Sequence, residues 1–259
     1  MFVTNLFLTT MFVYSKTMPA RNRPVVSRRE RPAKPALTRA GIVAAATAVM
    51  RAEGLDRVTM RRIAAELDTG AASLYVYVRD TSELHAAMLE ELLGQVDLSP
   101  VTASGDWRTR LITVLKSYTT ILFEQPGLAR SALVSRPSGP AYLGLVDGIL
   151  ALLAAGGVPA GEAAWAVDVL LHFATSTAAE HGTRAQDIDK QNMRDEQDAL
   201  AAALRDASAA TFPHIAAVGA ERLMSGAGQE RLTWGFNVLI SGIRQTPRPE
   251  NRPEEETAR

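Results

Sequence analysis

The chain has 259 residues, 47% hydrophobic and 22% charged, enough apolar material for one large domain or for a small one joined to a larger. It has no cysteine, which excludes disulfides, thiolate zinc sites and thiol catalysis and fits a soluble, cytoplasmic protein. The formal net charge of zero hides an asymmetry: Arg21 to Asp80 carries twelve Lys/Arg against six Asp/Glu and Thr81 to Arg259 fifteen against twenty-two, so one end suits a polyanionic partner.

Met1 to Tyr14 is apolar, but it is too short to span a bilayer and has no basic residue ahead of it. It reads as neither a membrane anchor nor a cleaved signal, and translation from Met18 is an alternative. Residues 1–36 are expected to be a disordered basic arm, with Arg28, Arg29, Arg31 and Lys34 just ahead of the first helix. That helix starts after Thr38, runs its apolar stripe through Ile42, Ala46, Val49 and Met50, and stops at Gly54, where a left-handed glycine is expected.

Thr59 reads as the N-cap of a second helix with Met60, Ile63, Ala64 and Leu67 facing inward. Asp68, Thr69 and Gly70 make a tight turn into a third helix over about 71–77, and Asp80 with Glu83 forms a reciprocal cap for the fourth. Two helices joined by so tight a turn carry the helix-turn-helix signature. Beyond a linker at Asp97 to Gly105, helices are expected at about 106–124, 127–134, 139–155, 159–181, 190–209, 213–224 and 228–244. No convincing period-two alternation occurs. The fold class is therefore all-α: a helix-turn-helix domain over 37–96, a larger helical bundle over 106–245 and a solvated tail over 246–259.

The segment Leu37 to Gly94 resembles the DNA-binding domain of the TetR family. The likeness rests on Gly54-Leu55, Thr59-Met60-Arg61-Arg62-Ile63-Ala64, Leu74-Tyr75-Val76-Tyr77-Val78 and Glu83-Leu84. Gly161 to Ala166 with Leu170-Leu171, and Glu230 to Phe236, are similar to the C-terminal domain nearest the tetracycline repressor. The resemblance implies a homodimer that sets its third helices into successive major grooves of a palindromic, double-stranded DNA operator. It further implies a repressor released by a small-molecule effector of unknown identity.

On that likeness Thr59 contacts phosphate, Arg61 reads a guanine edge with its planar fork, and Arg62 serves phosphate. Tyr75 lies against the sugar-phosphate backbone, Ser73 and Tyr77 face the groove or its rim, and Arg28 and Arg29 lend the arm to the minor groove or the phosphates. Three departures stand out. Asp68 replaces the usual turn glycine, Thr81 replaces a common lysine, and Ala71 and Ala72 are too small for bidentate contacts.

In the larger domain, helices 106–124, 139–155 and 159–181 should enclose a largely apolar cavity. Tyr118, Tyr142, His172, Thr175 and Ser176 are the candidates for orienting an effector. The resemblance places a four-helix dimer interface on helices 159–181 and 228–244, with Ala163, Ala164, Leu171, Phe236, Leu239 and Ile240 as its packing surface. The four histidines show no metal-ligand spacing, and neither a phosphate-binding glycine loop nor a Ser/His/Asp set is present, so no enzyme activity, metal or cofactor is expected. An effector-free DNA-binding protein of the same fold is the alternative, and a helical-bundle enzyme a more distant one.

Overall fold

α1 (Arg39–Glu53) begins where the Thr38 hydroxyl accepts the Gly41 amide at 3.0 Å. It ends at Gly54, whose φ of 90° and ψ of 162° lie in the extended mirror region that only glycine enters, not in the left-handed helical well expected from the sequence. Gly54 turns the chain into a short 3-10 turn, and Leu55 still packs back on the neighbouring core. α2 (Met60–Glu66) has Thr59 as its cap, with Oγ1 accepting the Arg62 amide at 3.2 Å. The computed structural model describes residues 36–133, 137–186, 190–226 and 228–249.

The turn that follows places Asp68 at φ 48°, a conformation that aspartate tolerates better than most residues. α3 (Ala71–Leu74) is shorter than the expected 71–77, because Tyr75, Val76, Tyr77 and Val78 are aromatic or β-branched and favour helix poorly. α4 (Thr81–Leu93) starts at Asp80, which accepts the Glu83 amide at 2.8 Å. The return half of that cap is displaced by one residue: Glu83 accepts the Arg79 amide at 2.9 Å, drawn there by the Arg79 guanidinium at 3.2 Å.

α5 (Trp107–Glu124), α6 (Pro126–Ala132), α7 (Pro140–Ala155), α8 (Ala160–Gln186) and α12 (Gly228–Gln245) build the larger body. Its core includes Leu111, Leu115, Leu122, Leu145, Ile149, Leu170 and Phe236, all fully buried. α9 (Lys190–Arg205), α10 (Pro213–Val218) and α11 (Ala220–Met224) lie outside that core. Gly219, at φ 81°, breaks the single helix expected over 213–224 into α10 and α11. Leu200, Phe212 and Val218 are exposed there. Among the described residues no strand forms, so the all-α class holds.

α4 belongs to both halves. Leu84, Met88 and Leu92 are buried in the core of the smaller head, together with Ile42, Ile63, Leu74 and Val78. Leu89 and Leu93, one residue on along the helix, are buried in the core of the body. Burying each such side chain contributes roughly 1.5–3 kcal/mol, so turning α4 against either core costs several times that. α6 repeats the device with Leu128 in the head core and Ala129 in the body core.

Candidate nucleic-acid interface and body cavity

The head presents one face made of short elements. Leu74 and Val78, one helical turn apart, are fully buried and hold the turn-linked pair to the core. The residues between them must then face outward: Tyr75 is 53% exposed, Val76 81% and Tyr77 37%. Ser73, Thr59 and Arg61 are exposed as well, and Arg61 forms no ion pair among the described residues. Val76 was not singled out from the sequence. The signal was available, since core contacts at 74 and 78 leave the intervening positions to solvent.

Arg62, expected to serve phosphate, is also held by carboxylates on two sides. Its guanidinium bonds Glu53 at 2.6 Å across to the end of α1 and Glu66 at 2.8 Å along its own helix. These carboxylates push the Arg62 pKa up, and the Arg62 hydrogen bond holds the Glu53 carboxyl below its usual range. With Nε and Nη2 on Glu53 and Nη1 on Glu66, Arg62 fastens α2 to α1, and two of its five N–H groups remain for an outside anion. Thr59 is the expected cap, its oxygen accepting the Arg62 amide, which leaves its hydroxyl proton available to donate. Arg28 and Arg29 lie outside the described residues.

The body holds a cavity of about 70 Å³ lined by Tyr118, Tyr142, His172 and Thr175, four of the five residues expected there. Ser176 is not among its walls and donates instead to the Phe173 carbonyl of its own helix. Thr175 Oγ1 donates to the Leu171 carbonyl at 2.7 Å, so the Tyr118 hydroxyl, also at 2.7 Å, must donate to Thr175 and keeps its lone pairs for an incoming donor. Burial pushes the Tyr118 phenol up to about 12, which keeps it neutral. Asp168, Leu133, Pro137 and above all Leu89 and Leu93, through which α4 forms one wall, also line the cavity and carry no signal in the sequence that marks them for it.

The six residues expected at a dimer surface divide. Ala163, Leu171, Phe236 and Ile240 are buried in the chain's own core, with Phe236 edge-on to Phe173 at 5.3 Å and Leu171 lining the cavity. Ala164 is exposed and Leu239 half-buried. The outward apolar residues are instead Trp165 and Val169 on α8 and Trp234 and Val238 on α12, each pair one turn apart. Both helices are apolar on two faces, and apolarity by itself did not say which face the body would cover. The first residues of the expected solvated tail also differ: the Arg248 amide donates to Glu162 at 3.2 Å, and its guanidinium lies 5.7 Å from the Trp165 ring centre.

A pair of turn-linked helices with an exposed face, a cavity in the helical body and one helix shared by both cores make up the anatomy of a DNA-binding regulator. Residues 42–88 match the family described as bacterial regulatory proteins, tetR family, and residues 99–246 match the tetracyclin repressor-like C-terminal domain. The chain belongs to the TetR family and is a transcriptional regulator. A relative described as an HTH-type transcriptional regulator of Saccharopolyspora erythraea is 29% identical over 82% of this chain and 87% of its own length. A solved structure described as a transcription regulator, SCO7704 of Streptomyces coelicolor, is 54% identical, with a TM-score of 0.67 over 83% of this chain and 98% of that one. ActR of Streptomyces coelicolor, solved in complex with actinorhodin, is 30% identical with a TM-score of 0.72 over 80% of this chain and 95% of that one. Among the described residues no helix is long and apolar enough to cross a membrane.

Proposed function

We propose that the protein is a repressor that binds a palindromic operator as a homodimer and leaves it when a small molecule enters the body cavity. The observation that carries this reading is the cavity wall formed by Leu89 and Leu93, because the same helix holds the head core through Leu84, Met88 and Leu92. A cavity of about 70 Å³ is far below the roughly 300–1,000 Å³ of a drug-sized site, so such a ligand must displace part of a lining to which α4 contributes. A ligand shifts the operator equilibrium by its difference in affinity for the two arrangements, and a difference of about 1–3 kcal/mol is a change of roughly 5–150-fold.

On the operator, Arg61 reads a guanine from the major groove and the Thr59 hydroxyl donates to a phosphate oxygen. Ser73, Tyr75 and Tyr77 meet the groove rim and backbone, and Val76 is placed for a thymine methyl. The second copy covers the apolar face of Trp165, Val169, Trp234 and Val238, with Ala164 and Leu239 at its margin. The effector is a hydrogen-bond donor toward Tyr118 with apolar surface toward Leu89, Leu93 and Leu133. The likeness to ActR makes a polycyclic aromatic compound such as actinorhodin the first probe.

The test is selection of duplexes from random-sequence DNA by the purified chain, followed by titration of the enriched duplex with actinorhodin and related aromatics. Enrichment of an inverted repeat and release by one of these compounds is the expected result. An enriched repeat that no compound releases would favour the effector-free reading, and enrichment of nothing would end the operator reading.

A further inference from the structure

α7 begins without a side-chain cap of its own. Its N-cap is Gly139 and its first residue is Pro140, which has no amide hydrogen. The next two amides are taken by a side chain of α4, the helix that both cores share. Glu90, in the last turn of α4, accepts from Ala141 through Oε1 at 2.5 Å and from Tyr142 through Oε2 at 3.3 Å. The Leu143 amide returns to the Gly139 carbonyl at 3.0 Å, so every donor of the first turn has an acceptor. The carboxylate also sits at the positive end of the α7 dipole. A Cβ at position 139 would lie 2.4 Å from the Glu90 carboxyl carbon, so this approach needs glycine there.

Glu90 is placed between two other features. Its neighbour Leu89 and its bonding partner Tyr142 both line the body cavity. Toward the head, Glu90 lines a polar cleft with Arg39, Arg79 and Glu83, the ion-paired residues at the start of α4 and α1. We infer that Glu90 is a positioning residue that ties the orientation of the DNA-binding head to the first turn of α7, so that whatever displaces Tyr142 from within the cavity also releases α4. The inference rests on the regulator reading above and deepens it, naming the joint between cavity and head.

The test uses the full chain with Glu90→Ala and Glu90→Gln. By hydrogen exchange, the amides of Ala141 and Tyr142 should exchange about tenfold or more faster in Glu90→Ala, with Glu90→Gln between it and the parent because a carboxamide oxygen still accepts. Unchanged exchange in Glu90→Ala overturns the inference. On the duplex enriched by the parent chain, Glu90→Ala should bind about tenfold more weakly, with Glu90→Gln partly restored. A cap serving the body alone would speed exchange and lower the melting temperature while leaving the duplex affinity of the folded protein untouched, and that pattern also overturns the inference. Failure of the parent chain to enrich any duplex removes the regulator reading and this inference together, whereas loss confined to the variants' expected pattern upholds both.

Discussion

In the head, the side chains offered to a partner project from two helices of seven and four residues, α2 and α3, and from the cap and turn residues that flank them. In the body, the cavity groups are held between helices of eighteen, sixteen and twenty-seven residues, α5, α7 and α8. On the proposed function the head reads by exposure, so its working residues contribute little to its stability and depend on caps and turns for their placement. The body would sense through a cavity within its packing, so its working residues are also packing residues. A substitution in the body therefore disturbs fold and function together, while in the head the two can be separated.

Phe236→Ala should break this contrast from the body side. Removing a fully buried ring that packs edge-on to Phe173 is expected to cost about 3–5 kcal/mol by thermal or denaturant unfolding. A loss under about 1 kcal/mol would mean that the body core collapses around the gap. Arg61→Ala tests the head side: unfolding should be unchanged, while discrimination at one base position of the enriched duplex falls by about 1–3 kcal/mol and binding to other duplexes changes little. A uniform loss across sequences would assign Arg61 to phosphate instead.

Thr47→Val sharpens the comparison within the head core. The Thr47 hydroxyl is buried and has no hydrogen-bond partner among the described residues, so the isosteric valine should raise stability by about 1 kcal/mol without altering duplex binding. The smallest effect concerns His85 on α4, whose pKa burial pushes below its ordinary 6.5. The fold therefore favours the neutral ring, and stability is complete above pH 6.5 and declines as pH falls from there toward the depressed value. Melting temperatures across pH 5 to 8 should show this slope, and His85→Leu should flatten it.

Much of the head was legible in the sequence because its determinants are local. Thr38, Thr59 and Asp80 cap the helices they were expected to cap, since a short oxygen-bearing side chain reaches amides two or three residues on whatever the rest of the fold does. Asp68 takes the positive φ that its place in the turn requires. The cavity was half legible: Tyr118, Tyr142, His172 and Thr175 stood out as polar or aromatic residues within apolar helices, but the α4 wall did not. Ser176 has the same chemistry as Thr175 one position away, and only the rotation of α8 separates them.

What the chain's sequence determined by itself was the helical class, the N-caps at Thr38, Thr59 and Asp80 and most of the helix breaks, which follow from near-neighbour chemistry and spacing, together with the motifs that carry the family resemblance. Tertiary structure alone decided which apolar face of α8 and α12 turns inward, that Arg62 closes on Glu53 nine residues away, that α4 serves two cores and that Glu90 caps a helix begun fifty residues later. Those outcomes depend on which surfaces meet when the two cores pack, and no local preference for helix, cap or turn specifies that meeting.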